Sequence, residues 1–295
     1  MNRTKIEWGQ NPDGSQGYTW NPITGCLNGC PYCYARKLAN GRLKQRYLAN
    51  LNIVPMSYTQ QCLKGVRAED PFYPRFWPER MEELVKRNNI IHRKGLSVKP
   101  ISIFVCDMSD LFGIGIPDKW TGEILDLIDD NDYDRFYLLT KQPQNLIKWS
   151  PFPKNCFVGV TATNPEQYRK AIVGLAGIKS AVKYISFEPL LEYIPVMSFG
   201  GLEIINWIIS GAQTKPYKPP EISWLQEIVE AADGASVAVF LKDNLRPLLV
   251  DSLGKKLITR QQFFVGSDGY GGNLRQEMPK EVKADGSKFQ QGGGS

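Results

Sequence analysis

A single histidine, His92, and only six cysteines narrow the chemistry open to this chain. With one imidazole, no Ser-His-Asp relay can be built away from His92, and a zinc site of paired Cys and His ligands lacks its second pair. His92, within NNIIHRKG, reads as a surface or loop residue. Six cysteines in 295 residues are too sparse for a disulfide scaffold. No apolar run approaches the roughly 20 residues of a membrane span. The opening MNRTKIEWG has no apolar stretch of the secretory kind, so a cytoplasmic protein with no membrane partner is expected. Also missing are a G-x-x-x-x-G-K-[ST] phosphate loop and a dinucleotide-type glycine fingerprint after a strand.

What is present is an alternation. Short runs rich in β-branched and aromatic residues recur at 101–106 (ISIFVC), 135–140 (RFYLLT), 156–161 (CFVGVT), 182–187 (VKYISF), 205–210 (INWIIS) and 236–241 (SVAVFL). Their continuous apolar character predicts strands buried on both faces, as in a parallel sheet covered by helices. Between them lie helical patterns, such as the one from Asp118, where Ile124, Leu125 and Ile128 share a face, and NPEQYRKAIVGL, with Pro165 in its first turn. Runs at 18–23 and 72–77 would bring the count to six to eight strands. The fold expected is α/β: a full or partial TIM-like (βα) barrel of parallel strands.

The organisation expected is a barrel domain over 1–252, interrupted at about 40–100 by a basic, aromatic-rich insertion, then a C-terminal extension over 253–291. The closing stretch 292–295 reads as an appended linker. Net charge is +6, which permits phosphate contact without the density of a dedicated nucleic-acid domain.

Three of the six cysteines fall in TGCLNGCPYCYA: Cys26, Cys30 and Cys33, spaced C-x3-C-x2-C, while Cys62, Cys106 and Cys156 lie far apart. Structural zinc wants four protein ligands, so zinc here would have to recruit a distant cysteine. A [4Fe-4S] cluster held by three thiolates keeps one iron open to an outside ligand. The C-x3-C-x-aromatic-C pattern, with Tyr32 before the last cysteine, resembles the radical S-adenosylmethionine (SAM) superfamily. The ordered pieces TKIEW, TWNPITGC, CPYCYA, VCDMSDLF, LLTKQP, GVTATN, SFEPLL, WIISGAQT and VFLKD look like a phage-associated three-cysteine family within it. That family in turn resembles the spore photoproduct lyase branch.

The resemblance implies a [4Fe-4S] cluster on Cys26, Cys30 and Cys33, with SAM on the open iron. An electron from the cluster, supplied by a reductant protein such as flavodoxin or ferredoxin, would cleave SAM to a 5'-deoxyadenosyl radical that takes hydrogen from a substrate. Tyr32 would pack near the adenine or anchor the loop. Ala212 and Gln213 stand where relatives often carry Gly-Gly-Glu, which leaves a carboxylate role at Gln213 without its carboxylate.

In a barrel the site lies at the carboxyl ends of the strands. Candidate catalytic residues are therefore Lys141, Glu188 and Cys106, the last either a hydrogen donor to a radical or a core thiol. Asp107, Ser109, Thr140, Thr161, Gln213 and Lys242 are the candidates for cofactor contact. Thr163 or Asn164 is expected to cap a helix and Asp110 to cap or buttress a loop. The basic stretch RKLANGRLKQRY is expected to be a helix presenting Arg36, Lys37, Arg42, Lys44 and Arg46, either to phosphate or simply to water. The substrate class this favours is a nucleic-acid base or nucleotide in DNA or RNA. A peptide or small metabolite, and a non-catalytic metal-stabilised nucleic-acid-binding module, are the alternatives. The rings of Phe72, Tyr73, Phe76 and Trp77 are candidates for base stacking or for the core.

Overall fold

The computed structural model describes residues 1–54, 69–250, 263–265 and 273–280. It resolves two compact units, one of Met1–Trp149 with Pro153–Phe157, the other of Ser150–Phe152 with Val158–Ser295. The fold is α/β, and its principal strands are mostly parallel.

In the first unit, β1 (Asn2–Arg3) pairs antiparallel with β2 (Tyr18–Trp20). Parallel pairings then join β2 to β5 (Ser102–Val105) and β5 to β6 (Arg135–Thr140). A separate antiparallel pair is formed by β3 (Ile23–Thr24) and β4 (Arg75–Phe76). The helices are α1 (Tyr34–Asn40), α2 (Lys44–Leu48), α3 (Pro78–Lys94) and α4 (Asp118–Asp129). Strands β5 and β6 are largely apolar and buried, as strands covered on both faces are, and the aromatic core packs Trp8 against Phe104 and Tyr137, with centroids 5.0 and 5.5 Å apart.

In the second unit, β7 (Cys156–Thr161) takes all but its first two residues from this part of the chain. β8 (Val182–Phe187), β9 (Trp207–Ser210) and β12 (Ala238–Leu241) follow in parallel, while β10 (Gln213–Thr214) and β11 (Tyr217–Lys218) form a small hairpin. Helices α5 (Pro165–Ala176) and α7 (Ile222–Ala235) are long, and α6 (Val196–Phe199) is a single turn. Asn164 caps α5, accepting a hydrogen bond from the Gln167 amide at 2.9 Å. Gly159 in β7 is required by a close approach, since a Cβ there would fall 2.3 Å from the Tyr184 ring.

Three sequence expectations change. Of the full or partial barrel expected, the closed form is not made among the described residues. β1 covers β2 in the first unit. In the second, chain at 275–277 runs along β12, with the Leu241 amide donating to the Arg275 carbonyl at 2.8 Å. The run at 72–77 yields only β4, which pairs with β3 outside the main sheet. The basic stretch after the cysteines is two short helices, broken where the Gly41 amide turns back to the carbonyls of Lys37 and Leu38. Most of the C-terminal extension and Cys62 lie outside the described residues. Among those described, no helix is long and apolar enough to cross a membrane.

Candidate cysteine-loop site

The cysteine loop leaves β3 at Gly25, whose φ of +87° and tight seating demand glycine. A Cβ would stand 2.4 Å from the Tyr73 carbonyl oxygen. The loop base is pinned on one side to the segment after β5: the Gly25 amide donates to the Met108 carbonyl at 2.9 Å, and the Ser109 hydroxyl donates to the Gly25 carbonyl at 2.6 Å. On another side the Cys26 amide donates to the Phe72 carbonyl at 3.0 Å.

Cys26, Cys30 and Cys33 are free thiols, each partly exposed. Cys33 caps α1, its sulfur accepting the Arg36 amide at 3.3 Å, and the Cys26 sulfur accepts the Asn28 amide at 3.4 Å. Burial pushes the Cys26 thiol well above its ordinary range, with Asp110 and the two other cysteines adding to the rise. Cys30 is raised by burial too, but the Lys141 ammonium pulls it back. That ammonium also lies over the Tyr32 ring, 5.7 Å from its centroid.

A ring of hydrogen bonds ties the loop to the sheet. Buried Asp110 accepts from Asn28 Nδ2 at 2.8 Å, Thr140 Oγ1 at 2.7 Å, and the amides of Lys141 and Phe112 at 3.0 and 3.1 Å. The Thr140 hydroxyl in turn accepts the Gln142 amide at 2.9 Å, and Gln142 Nε2 donates to Asn28 Oδ1 at 2.8 Å. Asn28 and Gln142 were not singled out in the sequence, where nothing but their polarity marks them.

Asp107, at the end of β5, is held by the Asn21 amide group and by Tyr34, whose hydroxyl donates to the Asp107 carbonyl at 2.6 Å. Burial raises its carboxyl above the ordinary aspartate range, against those hydrogen bonds. Cys106 beside it is buried, its thiol pushed upward by burial, and its backbone is left-handed at φ +61°. Its sulfur therefore belongs to the core.

In the second unit the candidates are otherwise engaged. Glu188 and Lys242, ending β8 and β12, form an ion pair at 2.6 Å, and Ser186 donates to Glu188 at 3.0 Å. Thr161 is buried. Gln213 donates to the Pro216 carbonyl of its own hairpin at 3.0 Å. Asn244 clamps the backbone of Ala212 from both sides, at 3.0 and 2.8 Å.

Arg36 does not face solvent as a phosphate contact: it pairs with Asp70 at 2.8 Å, donates to the Cys26 carbonyl at 3.3 Å and lies over Phe72. Arg42, Lys44 and Arg46 are exposed. Phe72, Tyr73, Phe76 and Trp77 are all buried, so these rings serve the core. His92 lies on α3, exposed, 4.0 Å from Asp130.

Among the described residues no three His, Cys, Asp or Glu side chains group closely enough to hold a single metal ion. The three thiols instead fit a cluster by their chemistry, being soft donors on one loop with amide N–H groups aimed at two of the sulfurs.

A family model described as a protein of unknown function (DUF5131) matches residues 3–261. The chain belongs to the DUF5131 family. No curated protein matches this DUF5131 chain. Among solved structures, a spore photoproduct lyase mutant is similar at 12% identity and a TM-score of 0.39, over 82% of this chain and 58% of that one. Another, with bound AdoMet and dinucleoside spore photoproduct, is 11% identical at a TM-score of 0.42, over 78% of this chain and 65% of that one. The DUF5131 chain thus spans less than two thirds of the length of these structures.

Proposed function

We propose that this DUF5131 chain is a radical SAM enzyme acting on a nucleic-acid base or nucleotide, allied to the phage-associated three-cysteine branch. In this reading Cys26, Cys30 and Cys33 hold a [4Fe-4S] cluster, and its partners are DNA or RNA and a reductant such as flavodoxin or ferredoxin. The observation that carries it is the loop itself: three free, partly exposed thiols, two of them already accepting backbone N–H groups, on a base pinned to the ends of the strands.

When bound, the cluster supplies one electron that breaks a carbon–sulfur bond of SAM, giving methionine and a 5'-deoxyadenosyl radical able to take hydrogen from a substrate. The chain's own residues prepare the place. Lys141 brings positive charge beside Cys30 and Tyr32, where thiolates and an anionic cofactor group would otherwise repel. Tyr32 offers a ring face, and Ser109, Thr140 and Asp110 keep the loop fixed.

The test is anaerobic incubation of the reconstituted protein with SAM, a reductant and a deuterium-labelled oligonucleotide, followed by mass analysis of the nucleoside. Deuterated 5'-deoxyadenosine is the expected product. Unlabelled 5'-deoxyadenosine without nucleic-acid binding would move the substrate to a peptide or metabolite. Nucleic-acid binding with no SAM cleavage would make the protein a non-catalytic module.

A further inference from the structure

We infer that Asn28, a residue inside the cysteine loop that is not itself a ligand, is the positioning residue that sets the loop's shape for its cofactor; this rests on the cluster reading above. Between Cys26 and Cys30, Leu27 is buried with Val54 and Tyr73, while Asn28 and Gly29 beyond it lie nearer the surface. Gly29, midway, sits at φ +69° with nothing within 4 Å of where a Cβ would be, so this part of the loop has no packing contact there. What fixes it is the Asn28 side chain, which works in both directions at once: its Nδ2 donates to Asp110 Oδ2 at 2.8 Å, and its Oδ1 accepts from Gln142 Nε2 at 2.8 Å. The Asn28 amide N–H meanwhile donates to the Cys26 sulfur. One residue therefore joins a cysteine sulfur to the ends of β5 and β6.

The anchor is built to stay put. Asp110 is 5% exposed and receives four donors, two on each carboxylate oxygen, which fixes its orientation. With both oxygens so occupied, Asp110 orients the loop rather than serving as a further ligand. Asparagine is the side chain of this length that can donate to a carboxylate and accept from an amide at the same time; aspartate would set charge against charge, and alanine would leave Asp110 and Gln142 each short of a partner. The consequence is that loop order is encoded in the cofactor-free chain.

Two readouts test this without relying on turnover. In the cluster-free protein, the alkylation rate of Cys26 is mapped by mass spectrometry; Asn28→Ala, which frees the loop without adding charge beside the thiol, is expected to raise it at least tenfold. In anaerobically reconstituted protein, the same variant is expected to hold at most half the iron of the unsubstituted chain and to show a broadened electron paramagnetic resonance signal. Asn28→Asp with Asp110→Asn restores a donor facing an acceptor and is expected to recover part of both. Because Asp110 also serves other amides, Gln142→Leu provides a milder second probe, with a threefold rise in Cys26 alkylation. Unchanged alkylation and iron content in Asn28→Ala and Gln142→Leu would overturn the inference. If the unsubstituted chain takes up no cluster, the function reading fails, and the alkylation rates still decide the role of Asn28.

Discussion

Lys141 holds its ammonium over the ring of Tyr32, 5.7 Å from the centroid, and the same charge opposes the effect of burial on the Cys30 thiol. One side chain at the end of β6 thus offsets part of the larger effect of burial on a cysteine far away in the sequence. Replacing Lys141 with Ala removes a positive charge that opposes burial at Cys30, so its thiol titrates higher and less thiolate is present at neutral pH. The pH profile of Cys30 alkylation should move to higher pH in Lys141→Ala and stay in place in Lys141→Arg. An unmoved profile in the alanine variant would remove Lys141 from the loop's electrostatics.

The raised carboxyl of Asp107 has a definite stability consequence. An acid held above its unfolded value keeps its proton in the folded chain at pH values where the unfolded chain has lost it. Its contribution is therefore largest below the ordinary aspartate range and declines as pH rises through the folded value. Asp107→Asn, which keeps an acceptor for Asn21 and leaves the backbone carbonyl for Tyr34, should flatten that part of the stability profile. Parallel urea melts of both chains across the acid range make the comparison; profiles with the same slope would mean Asp107 is not held protonated by burial.

Much of this architecture could be read directly from the sequence, and the exceptions have physical reasons. The six apolar runs became strands because a strand covered on both faces has no polar alternation to obscure it. Helix α3 went unread because one of its buried positions is polar: Asn88, 2% exposed, donates to the Leu127 carbonyl at 3.1 Å and Asp130 at 3.0 Å, breaking the apolar stripe. At the site, the cysteine spacing was legible because it is local. The Asn28–Asp110 and Asn28–Gln142 bonds were not, since their partners lie 82 and 114 positions apart. Polar residues at strand ends suggested open ligand groups, yet Ser109 and Thr140 spend their hydroxyls on the Gly25 carbonyl and on Asp110.

Gly25 is expected to tolerate no side chain. With φ at +87° and a carbonyl 2.4 Å from the site of a Cβ, Gly25→Ala should cost about 2 kcal/mol or more, measured by chemical denaturation. A loss below about 0.5 kcal/mol would show that the loop base relaxes freely.

The Glu188–Lys242 pair is mostly shielded from water, so removing one partner strands the other's charge. Lys242→Met alone should destabilise the chain more than Lys242→Met combined with Glu188→Leu, by about 1 kcal/mol in a double-mutant cycle. Equal losses would mean the two charges are solvated independently.

If Arg42, Lys44 and Arg46 meet phosphates, neutralising each should flatten the dependence of log affinity on log salt by about one unit. Arg36, already paired with Asp70, should change loop stability instead of that slope. Fluorescence anisotropy with a short oligonucleotide at several salt concentrations measures both, and a slope unmoved by all three substitutions would place nucleic acid elsewhere or nowhere on the chain.

The most direct test of the account is the iron and acid-labile sulfide content of the protein reconstituted without oxygen. The expected result is about four of each per chain, abolished by alanine at Cys26, Cys30 or Cys33 and untouched by serine at the buried Cys106 or Cys156. One tightly held zinc with no sulfide, or iron retained after loss of any loop cysteine, would contradict it.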